Sequence, residues 1–482
     1  MKHLPRYALV GLGMMIVSET LMLLRIEPFW SWHTPIAWTG YILCVDGIVR
    51  ARRGHSWLTT APAEFAFLAV VSIPLWLVFE FYNLFIENWH YVNLPESPFW
   101  RNVGYAWSFA TIWPAIFETA ELVATLRSSP GHRSGHGDRP ATSVVVRDGR
   151  LTGLGLASIV AGAAMLVWPL VYPSPYLAAP VWLGFIFLLE PINARLAADS
   201  MAAAWPRPGR DRLVNLCWSG LICGVVWEFW NYWARTKWIY TVPGFERLKL
   251  FEMPLLGFLG FPPFAVECVV VIRFVHSLDP RWPARGVRRR AAAAALVASA
   301  TAATAAVFPA ADAVTVESFY VPVARLELLP AAERERLSAA GLESPEQLLR
   351  ALGTPAGLQA WSARTGIDVD TLERVRSRVA LVMHRGLGQR RALQLARLGV
   401  DGLEDLAAWD AGSLAAALRE QGSAPPDRFL ERRARVWLQG LPSRSGLVSV
   451  RAGTRRAAAP GRLTPAVSGS GSRRGSAGRG GS

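Results

Sequence analysis

Residues 79–91 (FEFYNLFIENWHY) and 227–240 (WEFWNYWARTKWIY) each set a glutamate three residues before an asparagine and close on Trp-x-Tyr. A spacing of three places Glu80 with Asn83, and Glu228 with Asn231, on one face of a helix. A carboxylate near a bilayer centre costs about 2.5–3.5 kcal/mol on insertion scales, so it turns toward a partner or a cavity. If the two pairs face each other, a shared cavity lies between them, and two like carboxylates at close range hold a proton between them. That arrangement suits proton relay, binding or permeation of a protonatable or lipophilic solute, or general acid chemistry on a lipid. The same residues also serve plain packing, with Glu bonded to Asn, Tyr or Trp across helices. Glu118 and Glu267, deep in apolar runs, complete the candidate intramembrane site. Trp89, Tyr91, Trp238 and Tyr240 directly follow their spans, where aromatic belts sit, and are expected as interface anchors. His90 has Ile239 in the matching place and is not expected to be a base or a ligand.

These residues must be carried by membrane helices. Of 482 residues, 52% are hydrophobic and only 18% charged, with a mean hydropathy of +0.24, too apolar for an ordinary soluble chain. Runs long enough to cross about 30 Å of hydrocarbon are expected at 8–24, 35–50, 65–86, 103–126, 151–172, 177–195, 213–234 and 250–275, with an Ala-rich ninth at 291–309. The connections on one side hold 20 Lys and Arg, those on the other six. Such a bias puts the N-terminus in the cytoplasm, and nine crossings would leave the C-terminal domain outside it. A multi-pass protein of a bacterial-type inner membrane is expected, in contact with membrane lipids.

Matching stretches recur in order: Gly11–Gly13 with Gly153–Gly155, Trp38–Tyr41 with Trp182–Phe185, Glu80–Asn83 with Glu228–Asn231, Trp89–Tyr91 with Trp238–Tyr240, and Pro114–Glu118 with Pro263–Glu267. Offsets drift only from 142 to 149, which points to an internal duplication. Each unit has four spans, so both copies run in the same sense. The expected organisation is membrane repeat 1 at 1–126, a cytoplasmic linker at 127–150, repeat 2 at 151–275, the ninth span, a soluble helical domain at 325–442 and a disordered tail at 443–482. The tail has eight Arg and no acid, a composition that does not build a core. The fold class is all-α. FEMPLLGFLGFPPFAVE at 251–267, rich in Pro and Gly, is expected to break its helix, which a membrane tolerates only beside protein or a cavity.

No P-loop, no His/Cys metal cluster and no G-x-S-x-G occurs, so ATP-driven transport and metal hydrolysis lack their machinery and no cofactor or metal is expected. The Gly-Leu-Gly triplets lack a preceding strand and are read as helix-packing glycines. The four cysteines sit in apolar segments without ligand spacing.

In the soluble region, AAGLESPEQL at 339–348 and RLGVDGLEDL at 397–406 align, and Gly386-Leu387-Gly388 opens another helix. This pattern resembles helix-hairpin-helix domains, in particular a small paired-hairpin domain of unknown function found in bacterial proteins. The resemblance implies contact with nucleic-acid phosphates through backbone amides, or protein docking; an extracytoplasmic position favours a protein partner through 325–442, and nucleic acid is not expected. In the membrane region, W-I-Y at 238–240 and the later Pro263–Glu267 resemble the membrane-type carotenoid cyclases. That resemblance implies an acid for polyene protonation, a place where this sequence has Glu267 without an adjacent second glutamate. Three readings stay open: a binding or transport protein for a lipophilic or protonatable solute, an intramembrane enzyme on an isoprenoid or lipid with Glu228 or Glu267 as general acid, and a scaffold presenting its helical domain.

Overall fold

The computed structural model describes residues 3–127, 153–196, 200–201, 209–243, 248–277, 298, 302, 305–310, 312–422 and 429–441. The linker, the tail and most of 291–309 therefore lie outside the described residues. Met1–Leu441 form one compact unit.

The apolar runs fold as α1 (Arg6–Leu23), α2 (His33–Arg53), the short α3 (Trp57–Thr60), α4 (Pro62–Ile86), α5 (Pro98–Ala110), α6 (Ile112–Arg127), α7 (Gly153–Val171), α8 (Ala178–Arg195), α9 (Gly209–Trp233) and α10 (Phe261–Ser277). Local chemistry sets their ends. Pro62 and Pro98 open helices at positions where the missing N–H is not needed, and Gly54 closes α2 in the left-handed conformation. Among the described residues, seven helical stretches are long and apolar enough to cross a membrane. α2, with Asp46 and three arginines at its end, falls outside that set, yet it packs along both α1 and α6.

Small residues let neighbouring helices close. A Cβ on Gly11 would lie 2.5 Å from the Gly40 carbonyl oxygen, and one on Gly162 would lie 2.7 Å from that of Gly184, so α1 meets α2 and α7 meets α8 backbone to backbone. Gly11 of the first Gly-Leu-Gly triplet thus packs as expected, whereas a Cβ on Gly13 or Gly153 would meet nothing and the close approach of α7 is made at Gly162. The two sets of helices are cross-linked by buried bonds, with Trp113 Nε1 donating to the Cys268 carbonyl at 3.2 Å and Ser219 Oγ to that of Ile116 at 2.6 Å.

Beyond α4 and α9 the chain makes two short strands, β1 (Trp89–Val92) and β2 (Lys237–Tyr240), paired antiparallel with Trp89 opposite Tyr240 and Tyr91 opposite Trp238. Alternation along a strand gives this ribbon two unlike faces. Trp89, Tyr91, Trp238 and Tyr240 turn toward the helices, while Val92 and Ile239 join Val436 of the C-terminal domain in a small apolar cluster. A second hairpin, β3 (Lys249–Leu250) with β4 (Met253–Pro254), precedes a 3-10 stretch, Leu255–Gly260, which leads into α10. The expected break in 251–267 is thus a strand and a 3-10 turn.

After α10 the apolar helix α11 (Ala305–Thr315) packs on α5, where Phe308 lies against Tyr105 and Phe109 and Asp312 takes Arg101 at 2.5 Å. Val316 and Phe319 bridge to Tyr91 and Leu94. The soluble helices α12 (Ala331–Ala339), α13 (Pro345–Ala351), α14 (Pro355–Thr365), α15 (Val369–Met383), α16 (Gly388–Ala396), α17 (Leu403–Leu406), α18 (Ala411–Glu420) and α19 (Leu430–Leu438) enclose their own core around Leu337, Leu348, Leu372 and Trp437. Ser344 caps α13 in a full capping box with Gln347.

This domain docks on the ribbon. Arg432 Nε donates to the Thr241 carbonyl at 2.8 Å and its Nη2 to that of Glu87 at 2.9 Å, which ties the ends of both strands to α19. Glu317, fully buried, accepts from Arg391 Nε at 2.8 Å and from Arg433 Nη1. The Gly386-Leu387-Gly388 turn, both glycines left-handed, is itself in the interface: a Cβ on Gly386 would lie 2.2 Å from Val92, and one on Gly388 2.3 Å from Ser318.

Candidate functional site

α4 and α9 place Glu80, Asn83, Glu228 and Asn231 at their last turns, all buried. Each asparagine holds its own ribbon strand. Asn83 Nδ2 donates to the Trp89 carbonyl at 2.9 Å and its Oδ1 accepts from the Asn88 N–H at 2.9 Å; Asn231 does the same with both backbone groups of Trp238, at 2.8 and 2.9 Å. The glutamates hold the ribbon's aromatic face. Glu80 Oε1 accepts from Trp76 Nε1 (2.9 Å), Trp89 Nε1 (3.1 Å) and Tyr91 Oη (2.5 Å). Glu228 Oε1 accepts from Tyr240 Oη at 2.7 Å, and Trp238 Nε1 donates to that hydroxyl at 2.9 Å.

Among the described residues no contact joins Glu80 to Glu228. Each carboxylate is bonded within its own half, so the expected face-to-face pair sharing a proton is not formed. The four aromatics expected as belt anchors are likewise placed otherwise: Trp89 and Tyr91 are buried, and Trp238 and Tyr240 are partly buried and bonded. Strand alternation explains the difference, because residues two apart share one face, and here that face is turned into the protein.

That aromatic face borders a cavity of about 530 Å³ between the two sets of helices. Eight tryptophans line it, including Trp38, Trp76, Trp89, Trp182, Trp227 and Trp238. Trp76 and Trp227 approach to 5.6 Å, Trp227 and Trp238 to 5.7 Å, and Trp182 lies 5.2 Å from Phe264, near edge-to-face. The floor is the broken segment before α10, with Met253, Gly257, Gly260 and Phe261 on the wall, so the irregular backbone sits where a cavity accommodates it. Arg101 and Lys237 are the cations on the wall, and no Asp or Glu is exposed on it. The site is aromatic and mostly apolar, suited to an apolar body of moderate size.

The other candidate acids lie apart from this cavity. Glu118 is buried beside Asp46, which accepts from Tyr7 Oη at 2.5 Å and the Leu58 N–H at 3.0 Å. Glu267 is buried near Phe185 and Tyr82. His90, on the ribbon, is buried and held neutral: burial, then Arg433, Lys249 and Arg432, push it down to about 3 against the pull of Glu317. Among the described residues no group of side chains could hold a metal ion.

Sequence reading passed over several residues. His33, at the head of α2, is fully buried between Ser18 Oγ (2.9 Å) and Glu19 (3.3 Å). Glu317 and Arg433, which bind the soluble domain, gave no signal because their partners are remote in sequence. The cavity's tryptophans did leave one trace, since 21 tryptophans in 482 residues is far more than two belts require.

Residues 328–426 match the model of a domain of unknown function, DUF4332. The C-terminal region carries this domain, and nothing found bears on the resemblance to carotenoid cyclases. No curated protein and no solved structure matches the chain.

Proposed function

We propose that this protein is a membrane-embedded binding protein for a lipophilic solute, held in the tryptophan-lined cavity between two duplicated halves and roofed by the ribbon on which the soluble domain docks. The cavity carries the reading: about 530 Å³, eight tryptophans and no carboxylate on its wall. The absence of an acid there favours binding or carriage over general acid catalysis, since among the described residues Glu80 and Glu228 are bonded to the wall residues Trp76, Trp89, Tyr91 and Tyr240 and do not line the cavity themselves. The duplication is supported by the ribbon, in which Trp89 faces Tyr240 and Tyr91 faces Trp238, the register expected of two copies meeting about a twofold axis.

The experiment is quenching of tryptophan fluorescence by a long-chain bromoalkane in detergent. Saturable quenching is expected for the wild type and its loss in the double variant Gly104→Phe/Gly260→Phe. Both glycines line the cavity and a Cβ on either meets no atom within 4 Å, so the bulk can be accommodated. Quenching that rises without saturation, or is equal in both proteins, would remove the proposal.

The same reading places the soluble domain outside the cytoplasm. α10 ends where His276 meets Glu64 near the start of α4, at 2.8 Å, whereas Val316 pairs with Tyr91 beyond the end of α4. These two contacts lie at opposite ends of α4, and the arginine bias puts Glu64's end in the cytoplasm. Alkaline phosphatase fused after Pro330 is expected to be active and GFP there dark; a fluorescent fusion would contradict the orientation. The hairpin glycines pressed on Val92 and Ser318 favour docking within the chain as the use of the helical domain, over nucleic-acid phosphate binding.

A further inference from the structure

Where α1 and α9 end, a second cavity of about 990 Å³ opens between them, the β3–β4 hairpin and the soluble domain. Its character is opposite to that of the first. Arg25, Arg235, Lys237, Lys249 and Arg385 all line it, against Glu252 alone among the acids on its wall. Glu252 is matched by Lys237 at 2.9 Å, and Arg235 is matched from outside the wall by Glu27 at 2.5 Å and Glu346 at 3.1 Å. Among the described residues Arg25 and Arg385 form no ion pair with an acid. Arg25 leans on the Trp30 ring (5.5 Å to the centroid), and Arg385 donates from Nε to the Gln439 carbonyl at 2.8 Å.

The backbone singles out the same place. Among the described residues five non-glycine residues have positive φ, and four of them, Arg25, Asn93, Phe251 and Arg385, line this one cavity. Left-handed backbone at non-glycine positions is costly and collects at ligand clamps. Two of the four are arginines, held in a conformation for which glycine is better suited.

The rim is apolar. Leu23 and Leu24 at the end of α1, and Tyr232 and Trp233 at the end of α9, are exposed, and aromatic side chains at helix ends mark the headgroup level of a bilayer.

We propose that this cavity binds the phosphate of an anionic lipid headgroup, with Arg25 and Arg385 as the phosphate-binding cations and the acyl chains lying along the exposed faces of α1 and α9. A phosphate oxygen takes guanidinium donors well, and a basic cation near a bilayer surface adds roughly a fivefold gain in affinity for anionic lipid.

The test is native mass spectrometry of the delipidated full chain with phosphatidylglycerol or phosphatidylcholine, and with inorganic phosphate as competitor. The wild type is expected to prefer phosphatidylglycerol. Arg25→Gly and Arg385→Gly should each weaken it about fivefold while binding of phosphatidylcholine is unchanged. Glycine suits the left-handed backbone at both positions, so these variants should unfold in the lipid-free state no earlier than the wild type. Inorganic phosphate that binds alone and fully displaces the lipid would assign the same arginines to a free anion instead of a headgroup. Equal affinity for the two lipids, or phosphatidylglycerol binding untouched in both variants, would overturn the site and leave Arg25 a cation capping the end of α1.

Discussion

Glu317→Ala is expected to cost about 3–5 kcal/mol of stability, the range for removing one partner of a buried ion pair, and to release the soluble domain from the ribbon. Glu317 is fully buried between Arg391 and Arg433, which are themselves almost wholly covered; its loss removes the carboxylate that both buried guanidinium groups share. Replacing all three by leucine or methionine should recover most of the loss, because the desolvation cost goes with the charges. Thermal unfolding and limited proteolysis between Thr315 and Pro330 would read both effects. A Glu317→Ala protein as stable and as protease-resistant as the wild type would refute this account of docking.

The same interface has a defined acid response. Burial alone would raise the Glu317 carboxyl, but Arg433 and Arg391 outweigh it and hold it at about 2. Its contribution is complete above the ordinary carboxylate value near 4.5 and is lost as pH falls toward 2. His90, held at about 3 by burial and the neighbouring cations, acts earlier. Its neutral form is the one the docked state accepts, so docking weakens as pH falls below the ordinary histidine value of about 6.5, by about 2 kcal/mol at pH 5. His90→Leu should flatten the profile between pH 6.5 and 4.5 and leave the lower limb in place.

The second large effect concerns two residues that sequence alone would treat as equivalent. Glu80→Ala strands three buried donors, Trp76, Trp89 and Tyr91, and should cost about 3 kcal/mol, using the modest value of hydrogen bonds within membrane proteins. Glu228→Ala removes the single acceptor of Tyr240 and should cost about 1 kcal/mol. Glu80→Gln keeps an oxygen in place and should fall nearer the smaller value. Unfolding of the three variants in one detergent makes the comparison, and equal losses for Glu80→Ala and Glu228→Ala would mean that the three-donor cluster contributes nothing.

The helices were largely legible because hydropathy is a local signal: 65–86 became Pro62–Ile86 and 213–234 became Gly209–Trp233. The span expected at 103–126 shows what that signal lacks. Its hydropathy is continuous, yet the helix breaks at Thr111, three residues before Pro114, whose ring and missing N–H disrupt the preceding turn. The ribbon was unreadable for a different reason. Trp-x-Tyr is visible at 89–91 and at 238–240, but a four-residue strand does not name a partner some 150 residues away, and aromatics after a span fit a belt as readily as a cavity roof. Glu80 and Glu228 were found as buried and special, but their side chains fasten the aromatic wall from behind and do not form the wall. The same limit hid Glu317 and the docking use of Gly386, since both depend on which surfaces the chain brings together.

Extraction of the purified protein with organic solvent, followed by mass spectrometry of the extract, reads the occupancy of the tryptophan-lined cavity. An apolar molecule should accompany the wild type in near-stoichiometric amount and be missing from Gly104→Phe/Gly260→Phe protein that unfolds at the same temperature or higher. Empty wild-type protein, or the same molecule at the same level in the filled variant, would contradict a solute site between the two halves.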